Sequence, residues 1–122
     1  MSQKRKQLGN LGENLAKRLL QNKGYRFLTA NFSCRFGEID LIFQDKETLV
    51  FVEVKCRYSS RFGVPEEAVN RKKLNSLQKT IDYFYTRFPR LPRLCRIDVV
   101  GIELDPITLK PTAVRHLPNV TG

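Results

Sequence analysis

Asp40, Glu53 and Lys55 bring two carboxylates and an ammonium into one short stretch of this 122-residue chain. Residues 37–44 alternate in character, which predicts a strand with Ile39, Leu41 and Phe43 on one face and Asp40 on the other. Residues 48–57 alternate again: Phe51, Glu53 and Lys55 share a face opposite Val50, Val52 and Val54. A turn at Asp45-Lys46-Glu47 joins the two strands into a hairpin, whose pairing can put Asp40, Glu53 and Lys55 on one side of neighbouring strands. The flanking runs, Leu41-Ile42-Phe43 and Leu49-Val50-Phe51-Val52, are too apolar for a fully solvated ribbon. Two carboxylates about 4 Å apart in an effective dielectric of about 20 repel by roughly 4 kcal/mol, so such a pair needs a proton, an adjacent base or a cation. Oxygen ligands on a rigid sheet, with a phosphate to share the remaining positions, suit Mg²⁺. The plainer alternative is that Lys55 pairs with Asp40 or Glu53 across the ladder, as cross-strand charges commonly do.

Other elements must hold this hairpin in place. Leu8, Leu11, Leu15 and Leu19 step by three and four, which predicts a helix over residues 6–22 with one apolar stripe, ended by Gly24. Gly9 and Gly12 interrupt it, each costing about 1 kcal/mol relative to Ala. Close approach of the helix to another backbone would account for them. A strand is expected over residues 25–31. Pro65, Glu66 and Glu67 open a second helical region, in which Leu74, Leu77, Ile81, Phe84, Tyr85 and Phe88 share a face and Pro89 is the stop. Residues 96–104 read as a further strand and 112–117 as a weaker one, before a tail expected to fray from about residue 118. The order gives an α/β domain spanning residues 1–122, with a mixed central sheet and a helix on each side. Residues 57–63 are the expected mobile loop.

Charge points to the class of partner. Lys and Arg total 22 against 12 Asp and Glu, a net charge of +10. So basic a small domain attracts polyanions, of which nucleic acid is the commonest in a cytoplasm. Residues 1–36 carry eight basic residues and one acid, residues 58–122 eleven and six, but residues 37–57 three and five. That acidic island is either a solvated hairpin turn or a cation site inside a nucleic-acid-binding surface. No apolar run approaches the roughly 20 residues of a membrane helix, and no secretory apolar core follows the N-terminus, so a cytoplasmic protein without a membrane partner is expected. Cys34, Cys56 and Cys95 lie far apart and form no C-x-x-C pair, which argues for reduced thiols over a disulfide framework or a zinc site.

At Gly37-Glu38-Ile39-Asp40-Leu41-Ile42 and Phe51-Val52-Glu53-Val54-Lys55 the sequence resembles the PD-(D/E)xK, or restriction-endonuclease-like, nuclease superfamily. Within it, the chain is similar to the small bacterial YraN family, a largely uncharacterised group related to archaeal Holliday junction resolvases. The resemblance runs over nearly the whole chain. It takes in Gly9-x-x-Gly12-Glu13, Gly24-Tyr25, Asn31, Val64-Pro65, Lys72-Lys73-Leu74 and Arg96-Ile97-Asp98-Val99-Val100. Ile39 stands where the superfamily's name has Pro, a position that does no chemistry. The resemblance implies a restriction-endonuclease-like αβββαβ core. It also implies that Asp40, Glu53 and the main-chain carbonyl of Val54 hold Mg²⁺ or Mn²⁺, and that Lys55 orients or deprotonates water and offsets charge on the scissile phosphate. Glu13 would complete the metal shell from the first helix. Read by itself, Glu13 serves equally as the i,i+4 partner of Lys17.

Around the island, Arg35, Arg57 and Arg61 suit contacts with a nucleic-acid backbone, and Lys72 and Lys73 suit phosphate contacts. Glu38 is either an outer partner of Asp40 or a solvated acid, Tyr58 and Phe62 either stack on bases or pack, and His116 is assigned no chemistry. The function expected is a divalent-metal-dependent, structure-selective endonuclease acting on DNA ahead of RNA, on branched or junction substrates. A junction resolvase cuts two strands symmetrically, so that version implies a homodimer. The rivals are a non-catalytic nucleic-acid-binding module on the same fold, a nuclease acting on RNA, and a structural partner of another protein.

Overall fold

The structure, a computed structural model, describes residues 3–58 and 63–122, with side chains from Lys6 onward. Arg61, Phe62 and most of the loop expected to be mobile lie outside the described residues. Helix α1 (Gln3–Asn22) is followed by strands β1 (Arg26–Cys34), β2 (Gly37–Asp45) and β3 (Thr48–Arg57), a 3₁₀ turn (Pro65–Ala68), helix α2 (Arg71–Arg87), and strands β4 (Cys95–Leu104) and β5 (Pro111–Leu117). The five strands form one sheet in the order β1-β2-β3-β4-β5. The first three make an antiparallel meander, and β5 is antiparallel to β4. Strands β3 and β4 are parallel, as a crossover through α2 allows. This is the mixed-sheet α/β architecture expected, consistent with a restriction-endonuclease-like core.

Each helix lays its apolar stripe on one face of the sheet. Ala16 and Leu20 of α1 pack with Leu41, Phe43, Val50, Val52, Val100 and Ile102. Leu77, Ile81 and Phe84 of α2 pack with Ile39, Ile42, Leu49, Phe51 and Ile97 on the other face. Helix α1 ends in a Schellman arrangement: Tyr25 N donates to Leu20 O, Gly24 N donates to Gln21 O, and Gly24 takes φ +95°. Among the described residues no helix is long and apolar enough to cross a membrane.

Three local expectations change. The second helical region is two elements, because α2 starts afresh at Asn70, whose side chain accepts the N–H of Lys73 at 3.0 Å. Of the two glycines in α1, only Gly12 is explained by close approach: a Cβ there would lie 2.7 Å from Cys56 Cβ on β3, whereas one at Gly9 meets nothing. The tail expected to fray is tied to β4, since Asn119 N donates to Asp98 Oδ1 and Val120 N to Ile97 O, each at 2.9 Å. His116, which the sequence assigns no chemistry, is packed inside. Its Nε2 lies 2.8 Å from the fully buried Asp98 Oδ2 and its Nδ1 2.8 Å from Lys23 Nζ. Arg96 joins the same cluster through Asp98 and the Tyr25 hydroxyl, so α1's exit, β4 and β5 are cross-linked on one face.

Candidate metal centre

The centre forms where β2 loses its ladder on both sides. Pairing with β1 passes from Ala30↔Leu41 to Phe32↔Ile39 and skips Asn31 and Asp40. Pairing with β3 reaches only to Leu41↔Val52. Asn31 has φ +56°, a left-handed conformation that Asn tolerates better than most residues. The faces exchange at this kink: Ala30 and Leu41 belong to the α1 core, Phe32 and Ile39 to the α2 core. Ile39 therefore does not share a face with Leu41 and Phe43, contrary to simple alternation. Freed from the ladder, the Asp40 carboxylate reaches β3 and its Oδ2 accepts the N–H of Val54 at 2.8 Å.

Glu53 lies on the α2 side of β3, only 3% exposed. It stands within hydrogen-bonding reach of Asp40. Lys73 Nζ approaches Glu53 Oε2 at 3.2 Å as an ion pair. The alignment falls short of a hydrogen bond, and that oxygen has no hydrogen-bond partner among the described residues. Burial holds the Asp40 carboxyl well above the usual carboxylate range, and the hydrogen bond and charge of Glu53 push the same way. The Val54 N–H and the Lys73 charge oppose this more weakly. Burial thus favours a proton on Asp40, and the Lys73 ammonium is the cation beside Glu53. A buried and a half-buried carboxylate, one oxygen of the buried one without a hydrogen bond, form a donor set that fits Mg²⁺ or Mn²⁺.

Glu13 faces this pair from α1. Its carboxyl is pushed up to about 7, first by burial and then by the charges of Asp40 and Glu38, with the Asn31 amide opposing. Burial and the Asp40 charge also raise Glu38. With its amide nitrogen turned to the acids, an orientation assigned from the hydrogen-bond pattern, Asn31 donates to Glu38 Oε1 at 2.9 Å and to Glu13 Oε1 at 3.1 Å. Lys17 is occupied elsewhere, its Nζ 3.9 Å from the centre of the Phe27 ring. Among the described residues no three His, Cys, Asp or Glu side chains converge closely enough to hold one ion. Glu13 stands in the field of Asp40 and Glu38.

Lys55 follows Glu53 on the same face of β3, beside Gly101 of β4 in the parallel register. The cation on Glu53 is Lys73; among the described residues no ion pair joins Lys55 to Asp40 or Glu53. A Cβ at Gly101 would run into the Glu66 side chain. Glu66 is held by the Arg115 guanidinium, which also reaches Glu103, so the 3₁₀ turn, β4 and β5 are locked together next to Lys55. The hydrogen bond from Arg115 holds the Glu66 carboxyl below its ordinary range.

The basic residues divide. Arg35, at the β1–β2 turn, and Lys72, in the first turn of α2, line one groove of about 650 Å³ together with Phe36, Arg71 and Lys79. The Arg35 guanidinium stacks 4.7 Å from the centre of the Phe36 ring. Arg57 is exposed at the end of β3. Lys73 turns into the acid pair, away from the role of free phosphate contact. Asn31 enters the sequence reading only within the family resemblance, Glu66 only as an acid opening a helical region, and Arg115 not at all. Asn31 carried a signal, an Asn inside a strand pattern. The Glu66–Arg115 bridge spans 49 positions and left none.

Residues 12–102, which include Glu13, Asp40, Glu53 and Lys55, match the family described as Uncharacterised protein family UPF0102. A UPF0102 protein of Caldicellulosiruptor bescii is 48% identical over 101 residues, covering 82% of this chain and 85% of its own. One from Syntrophus aciditrophicus is 46% identical over 99 residues, covering 80% and 77%. One from Caldanaerobacter subterraneus is 38% identical over 115 residues, 94% of each chain. The chain belongs to the UPF0102 family, the YraN proteins.

Proposed function

We propose that this protein is a divalent-metal-dependent endonuclease that hydrolyses phosphodiester bonds in nucleic acid, DNA ahead of RNA, with a preference for branched or junction structures. The observation that carries the reading is the Asp40–Glu53 pair at the β2 kink, Asp40 half-buried and Glu53 buried with one oxygen short of a hydrogen bond, with Lys55 two residues beyond Glu53 along the same strand face. Asp40 and Glu53 would hold Mg²⁺ or Mn²⁺. Bound there, the ion supplies Lewis-acid polarisation of a phosphoryl oxygen and a water of lowered pKa. Lys55 would offset the negative charge that grows on the phosphorus oxygens and would orient or deprotonate the attacking water. Glu13, with its carboxyl near neutrality, is placed to hold or release a proton beside the pair. The net charge of +10 favours a polyanionic substrate. Among the described residues no inserted element that reads sequence is present, which favours recognition of structure, and symmetric cutting of a junction would require a homodimer.

One observation favours a second reading, a binding module without catalysis: Lys73 already neutralises part of the acid pair. A cleavage panel decides. Linear, flapped, four-way and RNA substrates are incubated with Mg²⁺ or Mn²⁺, alongside binding measured in EDTA. Metal-dependent cleavage lost in Asp40→Asn and Glu53→Gln supports the enzyme. Tight binding with no cleavage of any substrate supports the module.

A further inference from the structure

We propose that Lys73 is a displaceable counter-cation of this centre: its ammonium takes the place beside Glu53 that a divalent ion needs, and withdraws when the ion enters. The inference rests on the metal-dependent reading above. Lys73 Nζ stands 3.2 Å from Glu53 Oε2, an oxygen that is buried and has no hydrogen-bond partner among the described residues. Oxygen ligands of Mg²⁺ lie at about 2.1 Å, so an ion bound by that oxygen and an ammonium beside it would face each other as like charges at close range. The two cations therefore compete for one oxygen.

The lysine is built to leave. Its backbone is fixed in the first turn of α2, where Asn70 Oδ1 accepts its N–H at 3.0 Å. Its side chain is 35% exposed, in contrast to the 3% of its partner. A flexible four-carbon stem can carry the ammonium into solvent without disturbing the helix. The missing hydrogen bond makes the contact a loose one, since charge attraction persists where alignment fails. Lys55 stays clear of this exchange, on β3 beside Gly101.

A purely structural salt bridge makes the opposite prediction. If Lys73 merely props Glu53 in place, deleting its charge should loosen the carboxylate and weaken metal binding. If Lys73 competes with the ion, deleting its charge should tighten binding.

The test is Mn²⁺ affinity of the full chain at one pH, from titration followed by electron paramagnetic resonance of free Mn²⁺, with the melting temperature at fixed Mn²⁺ as a second readout. Lys73→Met should bind Mn²⁺ on the order of ten-fold tighter than the natural protein and show a larger metal-induced rise in melting temperature. Lys73→Arg, which keeps the charge, should stay near the natural affinity. Should Lys73→Met fail to fold, Lys73→Gln serves in its place. Measurable Mn²⁺ binding in Lys73→Met where the natural protein has none would also support displacement. Equal or weaker affinity in the uncharged variants overturns it. Asp40→Asn separates the two failures. If it abolishes Mn²⁺ binding while Lys73→Met gains nothing, only the counter-cation role falls. If Asp40→Asn binds as tightly as the natural protein, the metal centre and Lys73's role in it fall together.

Discussion

Under the proposed function Lys55 and Glu13 would serve the same acid pair with different duties, and each can be isolated by a single substitution. Lys55 is not committed to either acid among the described residues, so its charge is available to an incoming phosphate. Its effect should appear mainly in the transition state, where the phosphorus carries most negative charge. Lys55→Ala should therefore leave junction binding within a few fold while cutting single-turnover cleavage by on the order of 100-fold. Lys55→Arg should not restore it fully, because a guanidinium differs in shape and cannot act as a base. Equal cleavage by Lys55→Ala would place the active site elsewhere. Glu13 gives a pH signature in the metal-free protein. Its carboxyl titrates near 7 in the folded chain against an ordinary 4.5, so between those values the folded chain binds more protons than the unfolded one. Stability from this group is thus present at low pH and lost as pH rises through 7, and the raised carboxyls of Asp40 and Glu38 act in the same direction. The melting temperature without metal should fall from pH 5 to pH 8. Glu13→Gln should raise it at pH 8 and change it little at pH 5; an equal loss at both would show that the carboxylate is a structural partner only. Asp40, Glu53 and Lys55 stand out in the sequence because strand alternation, charge and the family resemblance coincide on them. The counter-cation at Lys73 does not, because α2's rotation over the sheet is a tertiary fact.

The elements were legible where periodicity was strong, as in α1, β3 and the apolar face of α2. They were misread where one residue breaks the period. Asn31 with φ +56° reverses the faces of β1 and β2, so Ile39 belongs to the α2 core although alternation assigns it to Leu41's side. Asn70 restarts a helix that an apolar stripe made look continuous with Pro65. The kink is also what frees Asp40 to bond across to Val54, so the irregularity that defeats pattern reading is the one that builds the site. Helix α1 must press close to β3 for Glu13 to face that kink, and Gly12 permits the approach. Gly12→Ala would set a Cβ 2.7 Å from Cys56 Cβ, too short for real atoms, and should destabilise the fold by about 1–3 kcal/mol in urea denaturation. Gly9→Ala meets open space and should stabilise by up to about 1 kcal/mol, through helix propensity alone. Equal effects at the two positions would show that α1 does not pack on Cys56 as described.

At the scale of the whole molecule, the question is whether the charge of +10 acts as a diffuse field or along a defined track. The groove lined by Arg35, Phe36, Arg71, Lys72 and Lys79 concentrates four cations on one side of α2. Lys73, in the same first turn as Lys72, points to Glu53. A nucleic-acid strand following that groove would arrive at the acid pair with its phosphates already neutralised. Binding to DNA in EDTA should then weaken steeply as salt rises, because each neutralised phosphate releases condensed counterions. Exchanging Lys72 and Lys79 for Glu should reduce both the affinity and the slope of log K against log salt, by about one unit or more in the slope for the lost contacts. The matched control exchanges Lys46 and Arg26, which lie at the far end of the β1–β2–β3 meander, where Arg26 pairs with Gln44 and Lys46 sits in the β2–β3 turn. Both double variants remove the same charge, so a diffuse field predicts the same loss from each. A track predicts a large loss from the groove pair and a small one from the control. Equal losses would leave attraction by net charge as the whole of the binding, and the groove beside α2 would have no claim to the substrate's path.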